Sequence, residues 1–244
     1  CGIKGLSLVS CADFTHPLWF TEIASKLEPA GNGLYRLKPE LRLKDPRFKE
    51  SYVQDVYFII GTELSCIYTD LGRARRVHDC LFMPSIEAAG KLNQALEARK
   101  CNLKADGRPI IGLSSQDLLK TLLDINSKSV LIPAHAWTPW FAVFGSKSGY
   151  DSITECFEDL SGNIFAIETG LSSDPAMNWQ VSNLDQVALI SNSDAHSLPN
   201  LGREANMFVG KNISYDLVWQ AVKAASPSAR QQNANLSALQ LSRT

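Results

Sequence analysis

Short apolar runs separated by longer stretches of helical periodicity constrain this chain most tightly. The runs lie at 3–9, 56–60, 80–83, 130–132, 164–167, 187–190 and 206–209. Their length and β-branched content fit buried strands of a parallel sheet. Helical patterns fall between them, at 17–27, 86–99, 116–123, 153–160 and 215–225. Each has a start signal: Pro17 directly after His16, Ser85, Ser114 with Asp117, Ser152 with Glu155, and Ser214. The alternation predicts an α/β fold, either a barrel or an open doubly wound sheet.

The residues at the C-terminal ends of the runs separate those two options. Asp13, Glu63, His135, Glu168 and the pair Asp194 and His196 each stand shortly after an apolar run. A barrel converges such residues on one mouth, whereas an open sheet spreads them along an edge. A barrel is therefore expected. Asp194 and His196 would project to one side of extended backbone, joining a hard and a borderline metal ligand. The recurrence of this arrangement points to a metal-dependent hydrolase.

Each residue also has a plainer reading. Asp13 could cap the helix that begins near Pro17. Glu63 follows an apolar run and a Gly61-Thr62 step, where a carboxylate is costly to bury unless paired or bound to a cation. His78 precedes its run and, alone, reads as a structural histidine. His135, between Ala134 and Ala136, is a good ligand candidate. His16 is balanced between helix start and function, and Glu168 between ligand, support for a ligand and salt bridge. The segment 137–149 joins two tryptophans and two phenylalanines to a Gly/Ser/Lys loop. It reads either as a hydrophobic lid or as an aromatic platform for a base, with Ser146 and Lys147 meeting phosphate. No G-x-x-x-x-G-K-[ST] string occurs, which leaves an ATP-driven motor unsupported.

With 244 residues and 45% hydrophobic content, the chain can build one sizeable domain. A net charge of -1 argues against a basic nucleic-acid coat protein. The basic cluster Arg36, Lys38, Arg42, Lys44, Arg47 and Lys49 is interleaved with Glu40, Asp45 and Glu50, as in a solvated mixed-charge face. The six cysteines form no C-x-x-C pair and read as reduced fillers of a cytoplasmic protein. No run is long enough to span a membrane, and no signal peptide is visible. The expected organisation is one domain over 1–225 and a polar, disordered tail over 226–244. The opening on Cys1-Gly2-Ile3 reads like the interior of a domain, so a fragment is expected.

The order Asp13, Gly61-Thr62-Glu63, His78, His135, Asp194-Ala195-His196 resembles the metal motifs of the PHP-domain phosphoesterases. Longer strings look like the endonuclease Q branch of that family. They are Ala134-His135-Ala136-Trp137-Thr138-Pro139-Trp140, Phe144-Gly145-Ser146-Lys147-Ser148-Gly149 and Glu168-Thr169-Gly170-Leu171-Ser172-Ser173-Asp174-Pro175. Ser191-Asn192-Ser193-Asp194-Ala195-His196-Ser197 and Leu201-Gly202-Arg203-Glu204-Ala205-Asn206 complete the likeness, which covers most of 1–225.

The resemblance implies a distorted (β/α)7 barrel, here truncated before the family's first His-x-His strand and lacking its cysteine-bearing C-terminal region. It implies a DNA-repair endonuclease that cuts 5′ to deaminated bases (hypoxanthine, uracil, xanthine) or abasic sites. Two or three divalent ions (Zn, Mn or Mg) would be held by Asp13, Glu63, His78, His135, Asp194 and His196. Asp13, Glu63, His135 and Asp194 would carry catalysis. Trp137, Trp140, Phe144, Ser146, Lys147 and Ser148 would grip lesion-bearing DNA. As a fragment the chain would be inactive. A histidinol-phosphatase-like small-molecule phosphoesterase and a degenerate non-catalytic binding module are the competing readings.

Overall fold

The computed structural model describes residues 1–42, 56–105, 108–226, 228 and 239–241. Its strands are β1 (Leu8–Ser10), β2 (Leu27–Pro29), β3 (Tyr35–Leu37), β4 (Tyr57–Asp70), β5 (Arg73–Met83), β6 (Ile110–Ile111), β7 (Val130–Pro133), β8 (Ala166–Glu168), β9 (Ala188–Ile190), β10 (Phe208–Gly210) and β11 (Leu239–Leu241). Its α-helices are α1 (Pro17–Lys26), α2 (Ile86–Ala98), α3 (Ser115–Ile125), α4 (Ile153–Phe157), α5 (Pro175–Asn178) and α6 (Tyr215–Lys223). No helix among the described residues is long and apolar enough to cross a membrane.

The helix starts obey local chemistry. The hydroxyls of Ser85, Ser114, Ser152 and Ser214 accept from Ala88, Asp117, Glu155 and Leu217 N–H, each satisfying one orphan donor of the first turn. The helix expected over 153–160 turns into a 3-10 segment after Phe157, where Glu158 takes a φ of 47°.

The sheet departs from the expected parallel barrel. Its central path is β2-β3-β4-β5-β7, and every step along that path is antiparallel. β1 and β6 pair β4 in parallel, and β8 pairs β9 in parallel as a separate ladder. Among the described residues no strand pairing joins β7 to β8 or β9 to β1, so the ladder does not close into a barrel. The antiparallel centre of the sheet is the long β4–β5 hairpin. Leu71 and Gly72 turn it with φ of 48° and 75°, the doubly positive pattern that matches the twist of the flanking strands. The apolar runs at 56–60 and 80–83 are only one end of these two strands, which continue through Leu64, Cys66 and Val77, all fully buried.

Alternation along the hairpin sorts side chains onto two faces. Leu64, Cys66, Val77, Leu81 and Met83 enter the larger core with Leu92, Leu118, Leu122 and Phe157. Ile59 and Phe82 face the other way, onto a second core with Val130, Ile132, Ile190, Val218 and Trp219. The cores hold the two faces of one sheet, and the second face carries the candidate site. Of the basic cluster, Arg36 Nε donates to Glu28 Oε1 at 2.8 Å, while Lys44, Asp45, Arg47, Lys49 and Glu50 lie outside the described residues. Most of the expected disordered tail also lies outside them. Within it, Leu239–Leu241 forms β11 and pairs β10 antiparallel.

One carboxylate is buried on the core side of the hairpin. Asp79 is fully buried, its Oδ2 accepts from Ser115 Oγ at 2.6 Å, and its Oδ1 has no partner. Burial pushes its pKa up to about 7. In metal-free protein the unfolded state therefore ionises Asp79 first, at about pH 4, and the native state loses stability as pH rises from there to about 7. Urea titrations in chelator across this window should show the wild-type midpoint falling relative to that of Asp79→Asn.

Candidate metal centre

Glu63 and His78 come together through strand register. Glu63 lies opposite Cys80 and Ser65 opposite His78, so Glu63 and His78 are diagonal neighbours on one face of the hairpin. Both are mid-strand, not at strand ends as the apolar runs implied. His135 arrives from β7. Strict alternation would send it to the face of Leu131, but its φ of 29° breaks the alternation at the strand exit. The result is a compact triad. Glu63 Oε1 lies 3.1 Å from His78 Nδ1 and 3.3 Å from His135 Nε2. The two imidazole nitrogens are 3.2 Å apart.

Neighbouring residues hold the triad in place. Glu168, buried at the end of β8, accepts from the His135 N–H through its Oε2 at 2.8 Å, and its carbonyl accepts from Ala136 N–H. This places it as a support for His135. Thr138 Oγ1 donates to Trp140 O at 2.8 Å, which leaves its oxygen to accept from His135 Nδ1 at 3.1 Å. That hydrogen bond fixes the ring so that Nε2 faces Glu63. The Phe141 ring stacks on His78 with centroids 4.8 Å apart.

Burial disfavours ionised Glu63, yet the hydrogen bond from His135 and the Arg108 charge hold its carboxyl well below the usual range. Burial pushes His78 down. Burial also opposes charge on His135, but the hydrogen bond to Glu63 and the surrounding carboxylates outweigh it and raise that imidazole. The donor set fits a divalent cation: two imidazoles and a carboxylate offer ligand atoms all within 4.8 Å of one another.

The triad adjoins a cavity of about 1200 Å³ whose polar wall includes Asp13, Glu63, Arg108, Glu168, Asp194 and His196. Leu8, Tyr57, Ile59, Phe82 and Trp219 line its apolar part. Asp13 caps no helix; the N-cap of α1 is His16, whose N–H bonds Asp13 O, and His16 makes no side-chain cap. Burial first, and then the Glu63 charge, push the Asp13 carboxyl up. Asp194 and His196 are not alternate residues of a strand. β9 ends at Ile190, Asp194 takes a φ of 44°, and the exposed His196 bonds the Asp194 carbonyl through Nδ1 at 3.0 Å. Asp194 Oδ1 is 3.7 Å from His196 Nδ1. Among the described residues eight non-glycines have positive φ, and Asp13, His135 and Asp194 are three of them. Such backbone is uncommon outside glycine, though Asp and His adopt it more readily than most residues, and it concentrates at functional sites.

The segment after His135 is a loop folded on itself. The Trp137 ring packs tilted against Phe144 with centroids 4.7 Å apart and donates to Asn178 Oδ1, so both rings are engaged in packing. Ser148 is buried and donates to Arg76 O. Gly145 and Gly149 are needed sterically, because a Cβ would come within 2.9 Å and 2.3 Å of loop backbone. Trp140 is 47% exposed under the Arg76 guanidinium, and Ser146 and Lys147 are on the surface. Arg108, Thr138, Phe141 and Gly170 were not singled out in the sequence. Thr138, Phe141 and Gly170 left traces only as members of longer strings, and Arg108 left none.

Two solved structures are similar to this chain. One is the lesion-specific endonuclease PfuEndoQ from Pyrococcus furiosus, with a TM-score of 0.73 and 24% identity over 98% of this chain and 51% of that one. The other is endonuclease Q in complex with a 27-mer duplex carrying an abasic lesion at the active site, with a TM-score of 0.73 and 26% identity over 91% of this chain and 49% of that one. Uncharacterized protein YqxK of Bacillus subtilis is 34% identical over 209 residues, 83% of this chain and 48% of that protein. The chain thus spans about half the length of each. No family model matches the sequence.

Two outcomes test the centre. Gly170 has a φ of 61°, and a Cβ there would lie 2.7 Å from His135 Cβ. Gly170→Ala should cost about 1–3 kcal/mol in urea unfolding and weaken Mn²⁺ binding by about tenfold in calorimetry. Because a cation must displace the proton that Glu63 holds on His135, whose imidazole is raised above its ordinary range, Mn²⁺ affinity should rise with pH through and above that range, with net proton release.

Proposed function

We propose that this chain is the catalytic part of a divalent-metal-dependent DNA-repair endonuclease that cuts the phosphodiester bond 5′ to a deaminated base (hypoxanthine, uracil or xanthine) or an abasic site. One observation carries the reading: Glu63, His78 and His135 converge beside a large cavity, in a fold similar to endonuclease Q. Asp13, Asp194 and His196 border the same cavity and are assigned with the triad as ligands of two or three ions, Zn, Mn or Mg. When bound, such ions supply a metal-activated water at neutral pH and neutralise charge at the scissile phosphate.

The chain's own residues do the rest. Glu63 and the imidazoles present lone pairs in one small volume, Glu168 and Thr138 hold His135 in register, and the strained backbone at Asp13 and Asp194 aims carboxylates at the cavity. The cavity has room for an unstacked nucleotide, and damaged or abasic positions leave the duplex at least cost. Trp140, Ser146 and Lys147 remain available to DNA at the surface, whereas Trp137, Phe144 and Ser148 act by shaping the loop that presents them.

The test is a nicking assay on end-labelled duplex with one deoxyuridine, deoxyinosine or abasic site, using full-length protein and Mn²⁺ or Mg²⁺. A single cut 5′ to the lesion is expected, abolished by EDTA and reduced about 100-fold or more in Glu63→Gln and Asp194→Asn. Hydrolysis of a simple phosphate monoester without any nick would instead identify a small-molecule phosphoesterase.

A further inference from the structure

Arg108 is a cation built into the triad. It enters from the segment just before β6, and its Nη1 lies 2.8 Å from Glu63 Oε1 and 2.8 Å from His78 Nδ1. A guanidinium has donors only and stays charged. Its contact with His78 therefore uses the Nδ1 lone pair, and its contact with Glu63 uses a carboxylate lone pair. These are the electron pairs that a divalent ion would take from the same two residues. Nδ1 of His78 has a single lone pair, so arginine and metal cannot share it, and two cations so close to Glu63 repel one another.

The apo site gains from this occupant. Glu63 is largely buried, with Asp13 as a neighbouring acid, and a buried carboxylate without a counter-charge is costly. Arg108 supplies that charge and keeps Glu63 and His78 in ligand geometry. Its side chain is also 30% exposed and forms part of the cavity wall. A small rotation away from Glu63 would leave its fork facing that space, and a guanidinium fork matches the paired oxygens of a phosphodiester.

We propose that Arg108 is a resident counter-cation that occupies the lone pairs of Glu63 and His78 until a divalent ion displaces it, and that it then turns into the cavity to position the phosphodiester. This rests on the metal-dependent phosphodiesterase reading above. Arg108 acts on the ligands and on substrate placement and takes no part in bond making.

Calorimetric titration of Mn²⁺ alone into metal-stripped full-length protein tests the first half. Arg108→Gln should bind Mn²⁺ about tenfold more tightly than the wild type, whereas Arg108→Lys, which keeps the charge, should stay near the wild-type value. A purely structural arginine would give weaker binding in both variants. In the wild type, Arg side-chain ¹⁵N NMR reads the same event without any substitution: the Arg108 resonance should shift on addition of Mg²⁺. For the second half, Arg108→Gln at saturating Mn²⁺ should raise KM for abasic duplex more than it lowers kcat.

Unchanged or weaker Mn²⁺ affinity in a folded Arg108→Gln, an equal gain in Arg108→Lys, or an unmoved Arg108 resonance overturns the proposal. An unchanged KM overturns the positioning role. Mn²⁺ bound with no strand cut by the wild type refutes the endonuclease reading alone, since the displacement is still read by titration. No Mn²⁺ binding to wild type or variant refutes both.

Discussion

Two imidazoles and a guanidinium crowded around one largely buried carboxylate govern this structure. Glu63 sits mid-strand with two imidazoles within 3.3 Å and a guanidinium at 2.8 Å. Such a group is stable only with positive charge beside it. That demand explains why Glu63 stays ionised despite burial, why His135 holds its proton tightly, and why an arginine reaches in from the segment before β6. It also explains why the same atoms suit a divalent ion, which meets the same need with one compact charge.

The scaffold delivers this crowding with two devices. The first is the β4–β5 hairpin, whose register sets Glu63 and His78 on one face and leaves Leu64, Val77 and Leu81 to the core on the other. A slip of one residue would turn all of them over at once. The second is backbone forced into positive φ at Asp13, His135 and Asp194, where chains leave or follow strands. Glu168 and Gly170 stabilise one of these bends, the carboxylate by accepting the His135 N–H and the glycine by leaving room against His135 Cβ.

Much of the candidate site was legible from residue types: Glu63, His78 and His135 do meet, and Asp13, Asp194 and His196 share the adjoining cavity. The sequence pattern that groups them is only partly the physical cause of their meeting. Strand-end convergence accounts for His135 and Glu168, but not for Glu63 or His78, which lie inside an antiparallel hairpin. The stretch from Ser65 to Arg76 concealed that hairpin, because Cys66, Ile67 and Tyr68 are bounded by polar residues and form no apolar run as long as those at 56–60 and 80–83. The aromatic segment after His135 divided as well. Trp137 and Phe144 pack inward while Trp140 stays out, a choice made by Asn178 and the core rather than by the segment itself.

The sequence by itself determined what depends on near neighbours. Serine caps started four helices where a hydroxyl stood three residues before an unpaired N–H, and the apolar runs at 56–60, 80–83, 130–132, 164–167 and 187–190 became largely buried strand segments, whereas Ile3, Met207 and Val209 of the runs at 3–9 and 206–209 are exposed. Tertiary structure alone decided which strands pair and in which direction, how the sheet stays open beside the cavity, and that Arg108 ends 2.8 Å from Glu63. Those outcomes rest on contacts between residues up to dozens of positions apart. No local pattern encodes them, since a register, a bend at positive φ and a buried ion pair become favourable only when the partner surface is already in place.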